Sequence, residues 1–165
     1  MIRIGLIPDT HGQCDQRFFD FFKDVDELWH AGDIGTLELL EEFEAFKPTR
    51  AVWGNIDNHK VRAACPEHQR FMVEGLEVWI THIGGYPGRY DKRVREEMYA
   101  NPPGMFITGH SHILKVMPDK KLNLLHINPG AAGLSGFHKK RTAIRFSIVD
   151  GKPTDMEILE LDRWK

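Results

Sequence analysis

The stretch that decides the fold runs Ile2-Arg3-Ile4-Gly5-Leu6-Ile7-Pro8-Asp9-Thr10-His11-Gly12. Its first six residues are mostly apolar and stop at Pro8, which is typical of a strand covered on both faces. Two side chains that can bind a metal ion, Asp9 and His11, follow immediately. In α/β proteins, ligand sites lie beyond the carboxyl ends of the strands. The stretch therefore predicts a buried strand that carries part of a functional site at its end.

Strands and amphipathic helices alternate outward from this stretch. After the first strand we predict a helix over 17–23, a strand over 27–31, a helix over 36–46 and a strand over 50–53. Thr36 is the expected N-cap of the second helix. The core face of the first helix is expected to consist of Phe18, Phe19, Phe21 and Phe22. This order of elements predicts right-handed crossovers and parallel pairing of the strands.

The second half of the chain is richer in strands. We predict strands over 71–73, 77–81, 105–108, 115–118, 122–127, 142–149 and 156–161, and one helix over 90–99. The stretches 58–70, 84–89 and 134–141 are expected to be loops. The sequence thus predicts an α/β protein with a single domain over residues 1–165, in which two sheets pack together with helices outside.

Composition restricts the partners and the location. Lys plus Arg is 22 and Asp plus Glu is 24, a formal net charge of -2, which argues against long nucleic acid as a ligand. Cys14 and Cys65 are too few for a disulfide framework, so we expect a reduced, cytoplasmic setting. No run approaches the ~18 apolar residues that a membrane span needs, so we expect no membrane partner.

Metal-capable side chains stand at the ends of five predicted strands. They are Asp9 and His11, Asp33 after Gly32, Asn55 and Asp57 after Gly54, His82 after Thr81, and His110 and His112 after Gly109. Strand ends at one edge of a sheet would bring these side chains into one crevice. Taken alone, Asp33 favours a simple turn, Asn55 could be a turn residue or a helix cap, and the histidines could be ordinary polar loop residues.

The residue types indicate a pair of divalent metal ions. The candidate ligands offer oxygen and imidazole donors and no thiolate, which disfavours structural zinc and iron-sulfur clusters. We expect manganese first, with nickel, iron, zinc or cobalt as alternatives. Two ions bring about +4 and Asp9 and Asp33 about -2, so with one hydroxide roughly +1 remains to attract an anionic substrate. These charges favour phosphoryl chemistry.

At this point the motifs resemble a known family. Asp9-x-His11, Gly32-Asp33, Gly54-Asn55-x-Asp57, His82, Gly109-His110-x-His112 and Asn128-Pro129-Gly130 are similar to those of the calcineurin-like metallophosphoesterase superfamily, in particular its small bacterial and archaeal phosphodiesterase branch. The resemblance spans residues 2 to 150. It implies a four-layer α/β/β/α sandwich of two mixed sheets flanked by helices.

The resemblance also implies how the ligands are divided. One metal would be held by Asp9, His11, Asp33 and His112. The second would be held by Asp33, Asn55, His82 and His110. Asp33 would bridge the two ions. A hydroxide between the ions would attack phosphorus in line.

Catalytic roles follow from the same resemblance. Asn55 would stabilise charge on the phosphoryl oxygens, and His82 or a water would supply the leaving-group proton. Many family members carry His after the Asn, but here Ile56 stands at that position and has no proton to donate. Asp57 is the nearest titratable neighbour, and it is equally a candidate for catalysis and for a turn.

These expectations define a function and its alternatives. The predicted protein is a dinuclear metal-dependent phosphoesterase, specifically a phosphodiesterase for a small phosphorylated substrate, in a chain that could form a homodimer. The alternatives are a phosphomonoesterase or nucleotide phosphatase, a nuclease, and a non-catalytic scaffold like that of a eukaryotic retromer subunit of the same fold.

Four further polar residues have open roles. His30 and His126 lie in apolar strands and are expected in the core or beside the site. Asn128 could orient a ligand or only form a turn. His138, next to Lys139 and Lys140, could face phosphate, although a solvated charge run is the expected interpretation.

Overall fold

The structure, a computed structural model, describes residues 1–164. The first of its two large sheets contains β1 (Ile2–Ile7), β2 (Glu27–His30), β3 (Thr49–Ala51), β11 (Lys140–Val149) and β12 (Lys152–Asp162). Their spatial order is β12-β11-β1-β2-β3. β1, β2 and β3 are parallel, as the sequence predicts, whereas β11 runs antiparallel to β1.

The second sheet is also mixed. It contains β4 (His68–Val73), β5 (Leu76–Thr81), β8 (Met105–Ile107), β9 (Leu114–Asp119) and β10 (Leu124–Pro129). Their spatial order is β4-β5-β8-β10-β9, with β5, β8 and β10 parallel. A separate two-stranded ribbon pairs β6 (Gly85–Tyr86) with β7 (Arg89–Tyr90).

The two sheets pack face to face through apolar side chains. Ile4 and Leu6 of β1 point between the sheets, where they join the cluster that contains Ile80 and Ile127. Ile7 points the other way, toward the helices. The strand is therefore covered on both faces, which confirms the interpretation of its apolar run.

Helices form the two outer layers. Within residues 1–164 they are α1 (Gln16–Phe21), α2 (Leu37–Phe46), α3 (His59–Ala64) and α4 (Arg95–Ala100). Phe18, Phe43 and Val61 of the first three helices pack on the outer face of the first sheet. Met98 of α4 packs on the outer face of the second sheet. These layers confirm the four-layer α/β/β/α sandwich.

Local signals set the helix starts. The Thr36 hydroxyl accepts a hydrogen bond from Leu39 N at 3.1 Å, so the predicted cap of α2 is confirmed. Asp15 caps α1 by accepting from Arg17 N at 2.9 Å. Of the four predicted core phenylalanines, Phe21 is only half-buried.

Several predicted boundaries were wrong, and the predicted loop over 84–89 contains β6 and the start of β7. The predicted helix over 90–99 is present only as Arg95–Ala100, because Tyr90 belongs to β7 and its hydroxyl donates to Asp119 at 2.7 Å. The predicted loop over 58–70 contains α3, which begins at an Asn58 cap that accepts from Lys60 N and Val61 N. A one-and-a-half-turn helix leaves too short a period to detect in sequence.

No helix of residues 1–164 is both long enough and apolar enough to cross a membrane.

Candidate metal centre

The candidate site lies where strands of both sheets end. The loop after β1 is joined to the loop after β2 by backbone hydrogen bonds, Asp9 N to Gly32 O at 3.1 Å and His11 N to Asp33 O at 3.0 Å. Gly109 N, in the loop after β8, donates to His82 O at 3.0 Å beyond β5. The structure thus brings the predicted strand-end loops into direct contact.

The ligand residues themselves adopt unusual backbone conformations. Positive φ angles occur at Asp9 (46°), His11 (51°), Asp33 (58°), His110 (71°) and His112 (62°). Such angles are uncommon for residues with a side chain and concentrate at functional sites. They break the alternation of a strand, so both ligands of Asp9-x-His11 and of His110-x-His112 can face one site.

Two buried carboxylates form the centre of the cluster. Asp9 is 0% exposed and Asp33 is 3% exposed. Asp33 Oδ2 lies 3.1 Å from His82 Nε2 and 3.5 Å from His11 Nε2, so it stands between two histidines. Asp9 Oδ1 lies 3.2 Å from His112 Nε2. The assignment of Asp33 as the bridging ligand stays a prediction, because Asp9 Oδ1 also lies within 3.8 Å of three imidazole nitrogens.

The donor set fits divalent metal ions. Two groups of ligand atoms lie within 4.8 Å of one another, one of Asp9, His11 and His112 and the other of Asp9, Asp33 and His82. Asp9 Oδ1, His11 Nε2 and His82 Nε2 are buried without a hydrogen-bond partner. Buried polar atoms are normally paired, so three such atoms in one cluster of possible ligands fit a cation. Mixed carboxylate and imidazole ligands suit a transition metal ion.

The electrostatic field of the cluster favours positive charge. The nearby carboxylates of Asp33 and Asp9 raise the pKa of His11 to about 9, although burial opposes the shift. Burial alone would raise the pKa of Asp33, but contacts with His11 and His82 hold it well below its usual value. Burial also acts to raise the pKa of Asp9, but His11, His112 and His82 lower it by more, so both carboxylates are charged at neutral pH and available to a metal.

Outer contacts orient two of the imidazoles. His82 Nδ1 donates to Ala31 O at 2.8 Å, which directs Nε2 at the carboxylates. His138 Nε2 donates to Gly133 O at 2.7 Å, so its Nδ1 accepts from His112 Nδ1 at 3.2 Å. That hydrogen bond leaves His112 Nε2 free to bind a metal. The expected interpretation of His138 as a solvated residue was wrong.

Close backbone approach explains two glycines at the site. A Cβ on Gly54 would lie 2.1 Å from Asp33 Oδ1, and one on Gly136 would lie 2.3 Å from His112 Nδ1. A side chain at either position would displace a candidate ligand. The loop after β3, which carries Asn55 and Asp57, and the loop over 134–141 can therefore approach the cluster only with glycine at these positions.

Asp57 has a positioning role. Its carboxylate accepts from Ile34 N at 3.1 Å, Gly35 N at 2.8 Å and Gly54 N at 2.8 Å. These bonds join the loop after β2 to the loop after β3. The catalytic role of Asp57 stays a prediction.

Asn55 and His110 form an outer pair. Both are exposed, and His110 Nδ1 lies 3.0 Å from Asn55 Oδ1. The His110 ring meets the His82 ring edge-on with centroids 5.3 Å apart. They adjoin the buried cluster without belonging to either compact ligand group, so their predicted role as ligands is not tested by the geometry.

Two buried polar residues support the loops from behind. Asn128 Nδ2 donates to Gly109 O at 2.9 Å and to Ser111 Oγ at 3.0 Å, which favours the ligand-orienting interpretation. His30 accepts from Gly32 N and bonds Thr10 Oγ1 at 2.9 Å. Burial lowers the pKa of His30 to about 3, so it is neutral.

Comparison with known proteins identifies the family. A profile of the calcineurin-like phosphoesterase superfamily domain matches residues 2–151. Because this match covers most of the chain, the protein belongs to that superfamily. A probable metallophosphoesterase of Methanothermobacter thermautotrophicus is 28% identical over 163 residues, which is 94% of this chain and 91% of that protein.

Solved structures share the fold. An archaeal phosphodiesterase superposes with a TM-score of 0.76 and 20% identity over 97% of this chain and 100% of that one. Vps29 of Entamoeba histolytica, solved with zinc, superposes with a TM-score of 0.74 and 15% identity over 98% of this chain and 99% of that one. At these identities the likeness concerns the fold.

Proposed function

We propose that the protein is a metal-dependent phosphodiesterase with two divalent ions at the Asp9–Asp33 cluster. The observation that carries this proposal is the buried ligand set with three unpaired donor atoms, flanked by two cavities that share Ile83. Bound there, the ions would polarise a phosphoryl oxygen and generate hydroxide at neutral pH.

The two cavities favour a diester over a monoester. One, of about 230 Å³, opens beside Asn55 and His82 and is lined by Arg62. The other, of about 200 Å³, opens beside His110. A phosphodiester carries two alcohol arms and can occupy both cavities, whereas a monoester has one arm.

The protein's own residues would position the phosphoryl group. Asn55 Oδ1 faces His110, which leaves the amide NH₂ to donate to a phosphoryl oxygen. Arg62 is stacked 4.1 Å from the Trp53 ring centroid and donates to Asp57 O at 2.8 Å, so its charge is fixed beside the same cavity. Fixed positive charge there stabilises an anionic substrate.

Water is the favoured source of the leaving-group proton. His82 is 2% exposed, its Nδ1 is held by Ala31 O, and its Nε2 faces the carboxylates. Ile56, 45% exposed after Asn55, offers an apolar contact and no proton. A leaving group that needs little protonation suits this arrangement.

The test compares two activated esters. Metal-stripped protein is assayed with bis-p-nitrophenyl phosphate and p-nitrophenyl phosphate after addition of Mn²⁺, Ni²⁺, Zn²⁺, Co²⁺, Fe²⁺ or Mg²⁺ in turn. We expect metal-dependent hydrolysis that favours the diester, and an Asp33→Asn variant that loses about a hundredfold or more of it. Asp150→Asn, in an exposed turn, is the matched control. Preference for the monoester would contradict the diester assignment.

A scaffold role is the second candidate. Val116 and Met117 of edge strand β9 are exposed, as is Ile113 just before it, and exposed apolar residues of this kind favour protein contacts. Bound metal without hydrolysis of either ester, in a protein that pairs through β9, would favour the scaffold over the enzyme.

A further inference from the structure

The cavity beside His110 lies on the outer face of the second sheet. Ile127 of β10 points between the sheets, so His126 and Asn128 point to the opposite face. Lys115 of β9 pairs directly with Asn128 in the antiparallel ladder and therefore shares that face. Tyr86 of the β6–β7 ribbon covers the cavity, with Lys115 Nζ 4.2 Å from its ring centroid.

A buried histidine in this cavity has an unpaired nitrogen. His126 is 1% exposed, and its Nε2 lies 3.0 Å from Thr108 Oγ1. Among residues 1–164 the structure gives the Thr108 hydroxyl no other acceptor, so that hydroxyl donates to Nε2 and the ring proton resides on Nδ1. His126 Nδ1 has no partner. Burial lowers the pKa of His126 to about 4, so the ring is neutral and carries this single proton.

Two more donors line the same cavity. Lys115 supplies an ammonium group close enough to His126 to oppose its protonation. Ser111 Oγ already accepts from Asn128 Nδ2 at 3.0 Å and Ile113 N at 3.2 Å, so its hydroxyl proton is the part left to donate.

The acidic residue on the cavity wall is already engaged. Asp91 Oδ1 accepts from Arg93 N at 2.9 Å and from Arg93 Nη1 at 3.0 Å. Its charge is therefore partly compensated, and the donors from Lys115, His126 and Ser111 dominate the chemistry of the cavity.

We propose that this cavity binds an anionic group, a carboxylate or a phosphate, carried on one arm of the phosphodiester substrate. The proposal rests on the proposed function, since it names the substrate class of the same site. The cavity has a volume of about 200 Å³, which is below that of a pocket for a drug-sized ligand. It therefore suits one small charged group and a short linker.

The kinetic test uses three matched diesters of p-nitrophenol. Their second alcohol is propan-1-ol, 3-hydroxypropanoate or 2-hydroxyethyl phosphate, so they share a two-methylene linker and differ only in the terminal group. We expect the metal-loaded enzyme to prefer the carboxylate or the phosphate over propyl by about tenfold in kcat/KM, the effect of one charge-assisted hydrogen bond. The anionic diester with the higher kcat/KM shows whether the cavity prefers a carboxylate or a phosphate.

Two variants test whether Lys115 causes the preference for an anionic substrate arm. In Lys115→Met the ratio of anionic to propyl kcat/KM should fall to about one, while Lys120→Met, an exposed lysine in the turn of the same hairpin, keeps the wild-type ratio. Equal kcat/KM for all three diesters in the wild type would overturn the proposal.

A binding measurement separates this proposal from the activity. Ring ¹⁵N shifts of His126 are recorded by NMR in the full chain, with and without Zn²⁺, during titration with propionate or inorganic phosphate. We expect a saturable shift of Nδ1 that Lys115→Met removes, whether or not the protein hydrolyses any diester. An Nδ1 signal that neither anion moves would overturn the proposal, and hydrolysis without this shift would leave the phosphodiesterase intact.

Discussion

The predicted ligand set divides into an inner and an outer part. Asp9, Asp33 and His82 are buried and lie within 3.1 to 3.8 Å of one another or of a neighbouring imidazole. Asn55 and His110 are exposed and contact each other. The inner part is held by backbone hydrogen bonds between the strand-end loops that carry Asp9, Asp33 and His82. The outer part is exposed and is the side on which substrate can enter.

The largest expected effect comes from the inner part. Asp9→Asn should lower metal affinity by more than about a hundredfold, because Asp9 belongs to both candidate groups and ligands contribute more than their supporting residues. Asn55→Ala should lower metal affinity by only about tenfold. Equilibrium dialysis with Mn²⁺ measures both. Equal losses of Mn²⁺ affinity in the two variants would contradict the distinction between the inner and the outer part.

The residue behind His112 should have the next largest effect. His138→Ala removes the acceptor that fixes the His112 tautomer, so metal affinity should fall about 10- to 100-fold. Phe137→Ala, a fully exposed neighbour, is the control and should bind metal like the wild type. Wild-type affinity in His138→Ala would mean that His112 needs no outer support.

His11, which lies beside Asp9 and Asp33 of the inner part, should also make metal binding depend on pH. His11 must lose a proton to bind a metal, and its pKa is raised to about 9. Metal affinity should therefore rise about tenfold per pH unit between pH 7 and 9, as measured by competition with a chelator. The metal-free fold should show the opposite trend, because the stability contributed by a raised pKa is present below 6.5 and is lost as the pH rises through 9.

Two controls test that explanation. His11→Asn should flatten both pH dependences, since the titrating group is gone. A wild-type affinity that stays constant from pH 7 to 9 would contradict the charge state assigned to the cluster.

The smallest expected effect lies in the outer part. Ile56→His should raise hydrolysis of p-nitrophenyl phosphate relative to the diester by at most about tenfold, because an acid without an orienting partner falls short of the usual gain. The ratio of the two rates, measured at equal metal loading, is the readout. Ile56→Leu is the control, and an equal gain there would exclude proton donation as the cause.

Much of the fold and of the inner site could be predicted from local sequence. The apolar run of β1 and the Asp9-x-His11 spacing depend on neighbours in the chain, and the structure matches both. His138 could not be predicted, because its contact with His112 joins residues 26 apart through a loop that Gly136 permits. The helix over 90–99 was misplaced because the Tyr90–Asp119 bond, across 29 residues, holds Tyr90 in the ribbon. Sequence patterns predict helices and strands from their local periodicity. They carry no information on side-chain contacts between residues that are far apart in the chain.

The measurement that tests the central claim most directly is the number and spin coupling of bound Mn²⁺ ions. Metal-stripped protein is titrated with Mn²⁺ and followed by electron paramagnetic resonance, with Asp9→Asn beside it. Two adjacent ions should give two Mn²⁺ per chain and an exchange-coupled spectrum, both lost in the variant. A single uncoupled Mn²⁺ signal, or one that Asp9→Asn leaves unchanged, would contradict a dinuclear centre at this cluster.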